Sequence, residues 1–146
     1  MTDPIKTAQE RFAKGFNCSQ SVFSAYAAHL GIDAETALKL TSPFGGGVAH
    51  QGEVCGAVTG ALMVLGMKRG SATVEAEAKD ETYKIAEAFV KRFEELHDTI
   101  LCRELLGYDL SQPDELKSAR EKGVFTSACP VFVKDATELV AEFLDV

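Results

Sequence analysis

The stretch from Thr41 to Met67 constrains this chain most, because it holds seven of the twelve glycines. Gly45, Gly46 and Gly47 form a run that no regular element favours. Such a run lets the backbone take positive φ or approach another group closely. Gly52, Gly56 and Gly60 are spaced four apart. On a helix that spacing makes one face without side chains, against which a second backbone can pack. The residues from Ala61 to Met67 are almost wholly apolar. Together these features predict a helix from about Gly52 to Met67 at the centre of a bundle, with Cys55 in its first turn.

The rest of the chain reads as helix, with no convincing strand. Asp3-Pro4 supplies a cap and a first-turn proline, and Gly15 supplies a stop. Asn17 and Gln20 make a capping box for a second helix that closes at Gly31. Asp33 caps a third helix through Leu40, and Pro43 breaks the chain before the glycine run. After the glycine-striped helix, Ser71 and Thr73 offer caps for a long helix with the apolar row Ala78, Ile85, Phe89, Phe93 and Leu96. Asp98 or Thr99 caps a short helix ending at Gly107. Ser111 caps another, with Pro113 in its first turn, ending at Gly123. Cys129-Pro130 opens the last. Phe12, Phe16, Phe23 and Phe44 read as core. The expected fold is an all-α, single-domain bundle of seven or eight helices over residues 1–146, with no repeat or linker.

This reading puts all four cysteines, Cys18, Cys55, Cys102 and Cys129, near helix N-termini. Unpaired N–H groups and a partial positive charge there favour a thiolate over a thiol. Cys18 and Cys55 are expected to react fastest, since each adds a cap or a nearby loop to the helix end. Arg103 can lower the pKa of Cys102, or pair with nearby glutamates. Glu53 reads as a partner of its helix dipole, and His50 as a loop histidine. Free cysteine also fills space in cores, so inert burial stays open as a reading. The spacing contains no CxxC and no zinc-like pair of close pairs, so a site must gather residues from four helices, as bundle cores can.

The net charge of −7 argues against nucleic acid and against an anionic membrane surface. Ala61 to Met67 is too short to span a bilayer. Met1-Thr2-Asp3-Pro4 lacks the features of a signal peptide, so the expected location is cytoplasmic, where permanent disulfides are rare. The apolar central helix can bury itself within one chain or across the two-fold axis of a homodimer.

The order Cys18, then Cys55-Gly56-Ala57-Val58-Thr59-Gly60, then Cys102, then Cys129 resembles the C…CGAxxG…C…C pattern of a redox-active protein family named for those cysteines. Phe16-Asn17-Cys18-Ser19-Gln20, Cys102-Arg103-Glu104-Leu105-Leu106-Gly107 and Cys129-Pro130 support the resemblance. It implies an all-helical domain with the four cysteines as the redox site, often encoded near transporter genes. The domain is also similar to part of split-Soret cytochrome c. The chain has no CxxCH, which rules out covalent c-type haem attachment.

Three functional readings follow. In the first, the cysteines serve redox work: thiol–disulfide exchange with a small thiol or a partner protein, or electron transfer through an iron–sulfur cluster held by the four thiolates. An oxidoreductase belongs to this class. Gly45, Gly46, Gly47 and Gly56 would then bring backbone close to the cofactor or substrate. In the second, the cysteines form a Cys₄ metal site, zinc for example, in a structural or sensory module beside a transporter. In the third, the chain is a helical interaction module with buried thiols.

Overall fold

The computed structural model describes residues 3–144. Among these the backbone forms ten α-helical segments, one 3-10 turn and an isolated β-bridge. They are α1 (Pro4–Lys14), α2 (Cys18–Ala25), α3 (Ala27–Leu30), α4 (Ala34–Thr41), α5 (Gly56–Arg69), α6 (Ala76–His97), α7 (Cys102–Leu106), α8 (Pro113–Glu121), α9 (Val124–Ser127) and α10 (Cys129–Ala141). The eight helices expected from the sequence are present. The two extra ones are single turns: α3 continues α2 after a break at Tyr26, and α9 fills the approach to Cys129.

The early caps follow their sequence signals. The Asp3 carboxylate accepts from the Ile5 N–H at 3.0 Å, and Gly15 ends α1 with φ 111°. Asn17 and Gln20 bond reciprocally at 2.9 and 3.0 Å and fix the start of α2. Asp33 caps α4 through Thr36. Later caps differ from expectation. Asp98 ends α6 in the left-handed region instead of capping α7, which starts after Leu101. Glu75, not Ser71 or Thr73, precedes α6, while those two hydroxyls bond each other.

The central helix also differs. It starts at Gly56, and Gly52 lies outside it with φ 70°. The smooth face is therefore Gly56 and Gly60 alone, and it packs on α2. A Cβ on Gly56 would stand 2.9 Å from the Ser19 nitrogen, and one on Gly60 would stand 2.8 Å from the Ser19 carbonyl oxygen. Both are closer than packed atoms allow, so the seam needs glycine. α5 shares the centre with α2: α2 packs on α1, α4 and α10, and α5 on α6 and α10. The core between them holds Val22, Phe23, Val58, Val64, Phe89, Phe93, Val133 and Val140, all wholly buried. The Tyr26 hydroxyl donates to the Thr137 carbonyl at 2.8 Å and ties the far end of α2 to α10. His97 and Asp135, 2.8 Å apart, join α6 to α10. No described helix is long and apolar enough to cross a membrane.

Candidate functional site: a four-cysteine cavity

Cys18, Cys102 and Cys129 are the first residues of α2, α7 and α10, and Cys55 is the residue that caps α5. All four helix starts meet at one end of the bundle, where the cysteines line a single cavity of about 540 Å³. Local backbone pairing sets two of them. Val54 and Leu101 form the β-bridge, with the Cys55 N–H donating to the Ile100 carbonyl and the Cys102 N–H to the Glu53 carbonyl, each at 2.7 Å. This short two-stranded contact holds the starts of α5 and α7 side by side. Asn17 positions a third. Its amide nitrogen donates to the Ser42 carbonyl at 3.0 Å, tying the start of α2 to the turn before the glycine run.

Gly45, Gly46 and Gly47 line the same cavity, as does Gly56. A Cβ on Gly47 would fall 2.6 Å from the Glu53 nitrogen and 2.8 Å from the Cys102 Cβ, and one on Gly56 would fall 3.1 Å from the Cys18 Cβ. These two glycines let the cysteine-bearing segments close together. From Gly46 to His50 every residue is left-handed, with φ between 50 and 72°, and Val48, Ala49 and His50 are not glycine. That conformation costs roughly 1–2 kcal/mol for each side-chain-bearing residue. The loop is held by bonds from the Ala49, His50, Gly52 and Glu53 N–H groups to the Pro43, Gly45, Gly46 and Gly47 carbonyls. The glycines signalled a bend; nothing in Val48 or Ala49 signalled that it continues.

The thiols are only 3–9% exposed, and burial reverses much of the acidity expected from helix ends. Removal from water pushes Cys102 up to about 12, with the neighbouring Cys55 and Cys129 adding to the effect. Burial likewise pushes Cys55 up to about 11, although the Ala57 and Val58 amides pull the other way. Those amides act on the sulfur without forming a full side-chain cap. The Cys18 and Cys129 thiols lie near enough to act on each other's proton. This pairing, ahead of burial, raises Cys18 well above an ordinary thiol and holds Cys129 below one. The expectation that Cys18 and Cys55 are the reactive pair is thus corrected. Cys129 is the acidified thiol, because its sulfur has the Cys18 thiol as a partner while Cys55 has only buried surroundings and two amides.

Arg103 does not serve Cys102 either. Its guanidinium donates to the Gly52 carbonyl at 3.2 Å and meets the Glu53 carboxylate at 3.3 Å. Glu53 lies before α5, not in its first turn. His50 forms part of the cavity wall, and burial followed by the charge of Arg120 lowers its pKa. The phenylalanines are the residues the sequence reading missed. Phe12 and Phe16, expected in the core, are half-buried on the cavity wall, joined by Phe125 and Phe132. Two signals were available: Phe16 stands two residues before Cys18, and Phe132 stands one helical turn after Cys129.

The pattern of cysteines decides the family. The sequence profile described as "Putative redox-active protein (C_GCAxxG_C_C)" matches residues 16–143. The chain belongs to this family. In the C_GCAxxG_C_C label the central motif begins glycine-cysteine, whereas here Cys55 precedes Gly56 before Ala57. That order puts the thiol at the cap of α5 and the glycine against α2. All four pattern cysteines of this family member reach the cavity. No curated protein and no solved structure matches the chain.

The donor set of four sulfurs on one cavity suits a soft metal or a cluster. Among the described residues, however, no three His, Cys, Asp or Glu side chains are arranged to hold one metal ion. A single tetrahedral ion draws its four sulfurs to within about 2.3 Å of one point. A multinuclear cluster spreads its thiolates over several irons and suits a wider set.

Proposed function

We propose that this protein is a thiol-based redox carrier in which Cys18 and Cys129 cycle between dithiol and disulfide. The observation that carries the reading is the gathering of all four cysteines on one cavity, in which Cys18 and Cys129 are the pair that act on each other's proton. Cys129, as thiolate, attacks one sulfur of a substrate disulfide. The substrate S–S bond breaks, and the departing thiolate takes a proton. Cys18 then attacks the mixed disulfide at the Cys129 sulfur. A Cys18–Cys129 disulfide forms, the second substrate thiol leaves, and two electrons have passed from protein to substrate. Cys55 and Cys102 stay protonated near neutral pH and do not compete as nucleophiles.

Titration against a dithiothreitol redox buffer, with alkylation and peptide mass spectrometry, tests this. A single two-electron couple joining Cys18 to Cys129 is expected, absent from Cys18→Ser and from Cys129→Ser. A couple that survives both substitutions would overturn the reading.

A second reading rests on the convergence of all four helix starts. Cys18, Cys55, Cys102 and Cys129 would hold an iron–sulfur cluster, whose chemistry is one-electron transfer. The helix N-termini would offset its negative charge, and the surrounding phenylalanines would limit water. Visible absorption with matching iron and sulfide content in anaerobically purified protein supports this reading; a colourless, iron-free protein that still shows the dithiol couple removes it.

A further inference from the structure

The cavity contains no Asp, Glu, Lys or Arg side chain among the described residues that line it. The chain as a whole has 37 such residues, from Lys+Arg 15 and Asp+Glu 22, so their absence here is a property of this surface. Its wall is Phe12, Phe16, Phe125 and Phe132, with Leu105 and Leu106. His50, the one ionisable nitrogen in it, is shifted by burial toward its neutral form. The four cysteines, each only 3–9% exposed, lie where the flat surface of a partner protein does not reach. The volume, about 540 Å³, is that of a small-molecule site.

We infer that the oxidant entering this cavity is an uncharged, low-molecular-weight disulfide on an apolar arm, of the lipoamide kind. Charged disulfides such as oxidised glutathione are disfavoured. The inference rests on the dithiol reading of Cys18 and Cys129. A carboxylate taken into the cavity loses its water and meets no lining cation, only the partial charge of the helix starts and the distant field of Arg120, whereas a neutral amide loses far less. The apolar arm gains by covering the phenylalanine rings. The five-membered ring of lipoamide presents both sulfurs at once. The Cys129 thiolate opens that S–S bond, and the freed sulfur takes a proton. Cys18 closes the disulfide with Cys129, and dihydrolipoamide leaves with both electrons. Run backwards, the same steps let dihydrolipoamide reduce the protein.

Lipoamide and lipoate share the ring and the arm and differ only in amide against carboxylate, which makes them the test. The reduced full-length protein is mixed with each, and with oxidised glutathione. The Cys18–Cys129 disulfide is then timed by acid quench and mass spectrometry. Rates are normalised to those of free dithiothreitol with the same oxidants. Lipoamide is expected to react about tenfold faster than lipoate, and glutathione disulfide more slowly than either. Phe16→Lys, at a half-buried position on the wall, is expected to move the ratio about fivefold toward lipoate. Equal normalised rates for the three oxidants in the wild-type protein would overturn the inference and leave the dithiol reading standing. If diamide, a small uncharged oxidant, forms no Cys18–Cys129 disulfide, the dithiol reading fails and takes the inference with it.

Discussion

The two ends of α5 are built on opposite terms. At its start, Gly56 and Gly60 pack on the backbone of α2, Cys55 precedes the first turn, and Cys55, Ala57, Val58 and Ala61 are buried. At its finish, Gly66 has open space where a Cβ would stand, and Met67, Lys68 and the Gly70–Glu75 segment are exposed. One helix thus carries glycines for two reasons. Near the cavity, glycine is the only residue that lets two cysteine-bearing helices approach. About 15 Å along, by the rise of about 1.5 Å per residue, Gly66 serves no packing purpose the structure displays. The contrast teaches that a glycine's worth is set by what faces it, not by its place in a helical pattern.

The largest expected effect separates the buried thiols themselves. At pH 8, iodoacetamide should label Cys129 at least about a hundredfold faster than Cys55 or Cys102, because those two, at about 11 and about 12, hold almost no thiolate there while Cys129 lies below an ordinary thiol. Their labelling should rise only as pH approaches those values. Mass-spectrometric site mapping across pH 6 to 11 measures it. Equal rates for all four would show that burial does not govern this end of the bundle.

Next comes the seam. Gly56→Leu should cost about 3 kcal/mol in urea unfolding, because the new side chain has the Ser19 backbone and the Cys18 Cβ in its way. A variant as stable as the wild type would erase the distinction between the two ends.

A smaller effect lies at the far end of α2. Tyr26→Phe should cost about 1 kcal/mol at neutral pH through loss of the bond to the Thr137 carbonyl. Burial raises the phenol to about 12. The folded state therefore holds the proton more tightly than the unfolded state. The wild-type protein loses stability as pH rises above 10 toward 12, and Tyr26→Phe should lose this part of the dependence. The difference between the two proteins in alkaline denaturation profiles reads it directly.

The smallest effect has the opposite sign. Gly66→Ala should stabilise by about 0.5–1 kcal/mol, since alanine suits a helix interior and its Cβ meets nothing. A loss of stability at Gly66 in thermal melting would mean that the exposed end of α5 is packed against something after all.

Much of this was legible in the sequence because capping is local. Asn17 and Gln20 reach each other across one turn, Asp33 reaches Thr36, and Gly15, Gly31 and Gly107 each end a helix by their own φ. No distant residue is needed for any of these. The placement of the four cysteines at helix starts was readable for the same reason. Gly52 was misplaced because a four-residue glycine spacing looks the same whether the first member is helical or not. The bridge from Val54 to Leu101 takes Glu53 and Val54 out of the helix, and its partner is 47 positions away. The left-handed course of Val48 to His50 was invisible because those side chains have no preference for it; carbonyl partners across the loop impose it.

The sequence by itself determined an all-helical chain, eight of its helices, and four thiols each set at a helix start. Tertiary structure decided that those four starts face one another, that phenylalanines wall the space between them, and which thiol is acidic. The reason is range. A cap or a helix dipole acts within one turn of its own residue. Desolvation and neighbouring thiols depend on what other segments bring, and at Cys18, Cys55 and Cys102 they outweigh the local field of the helix.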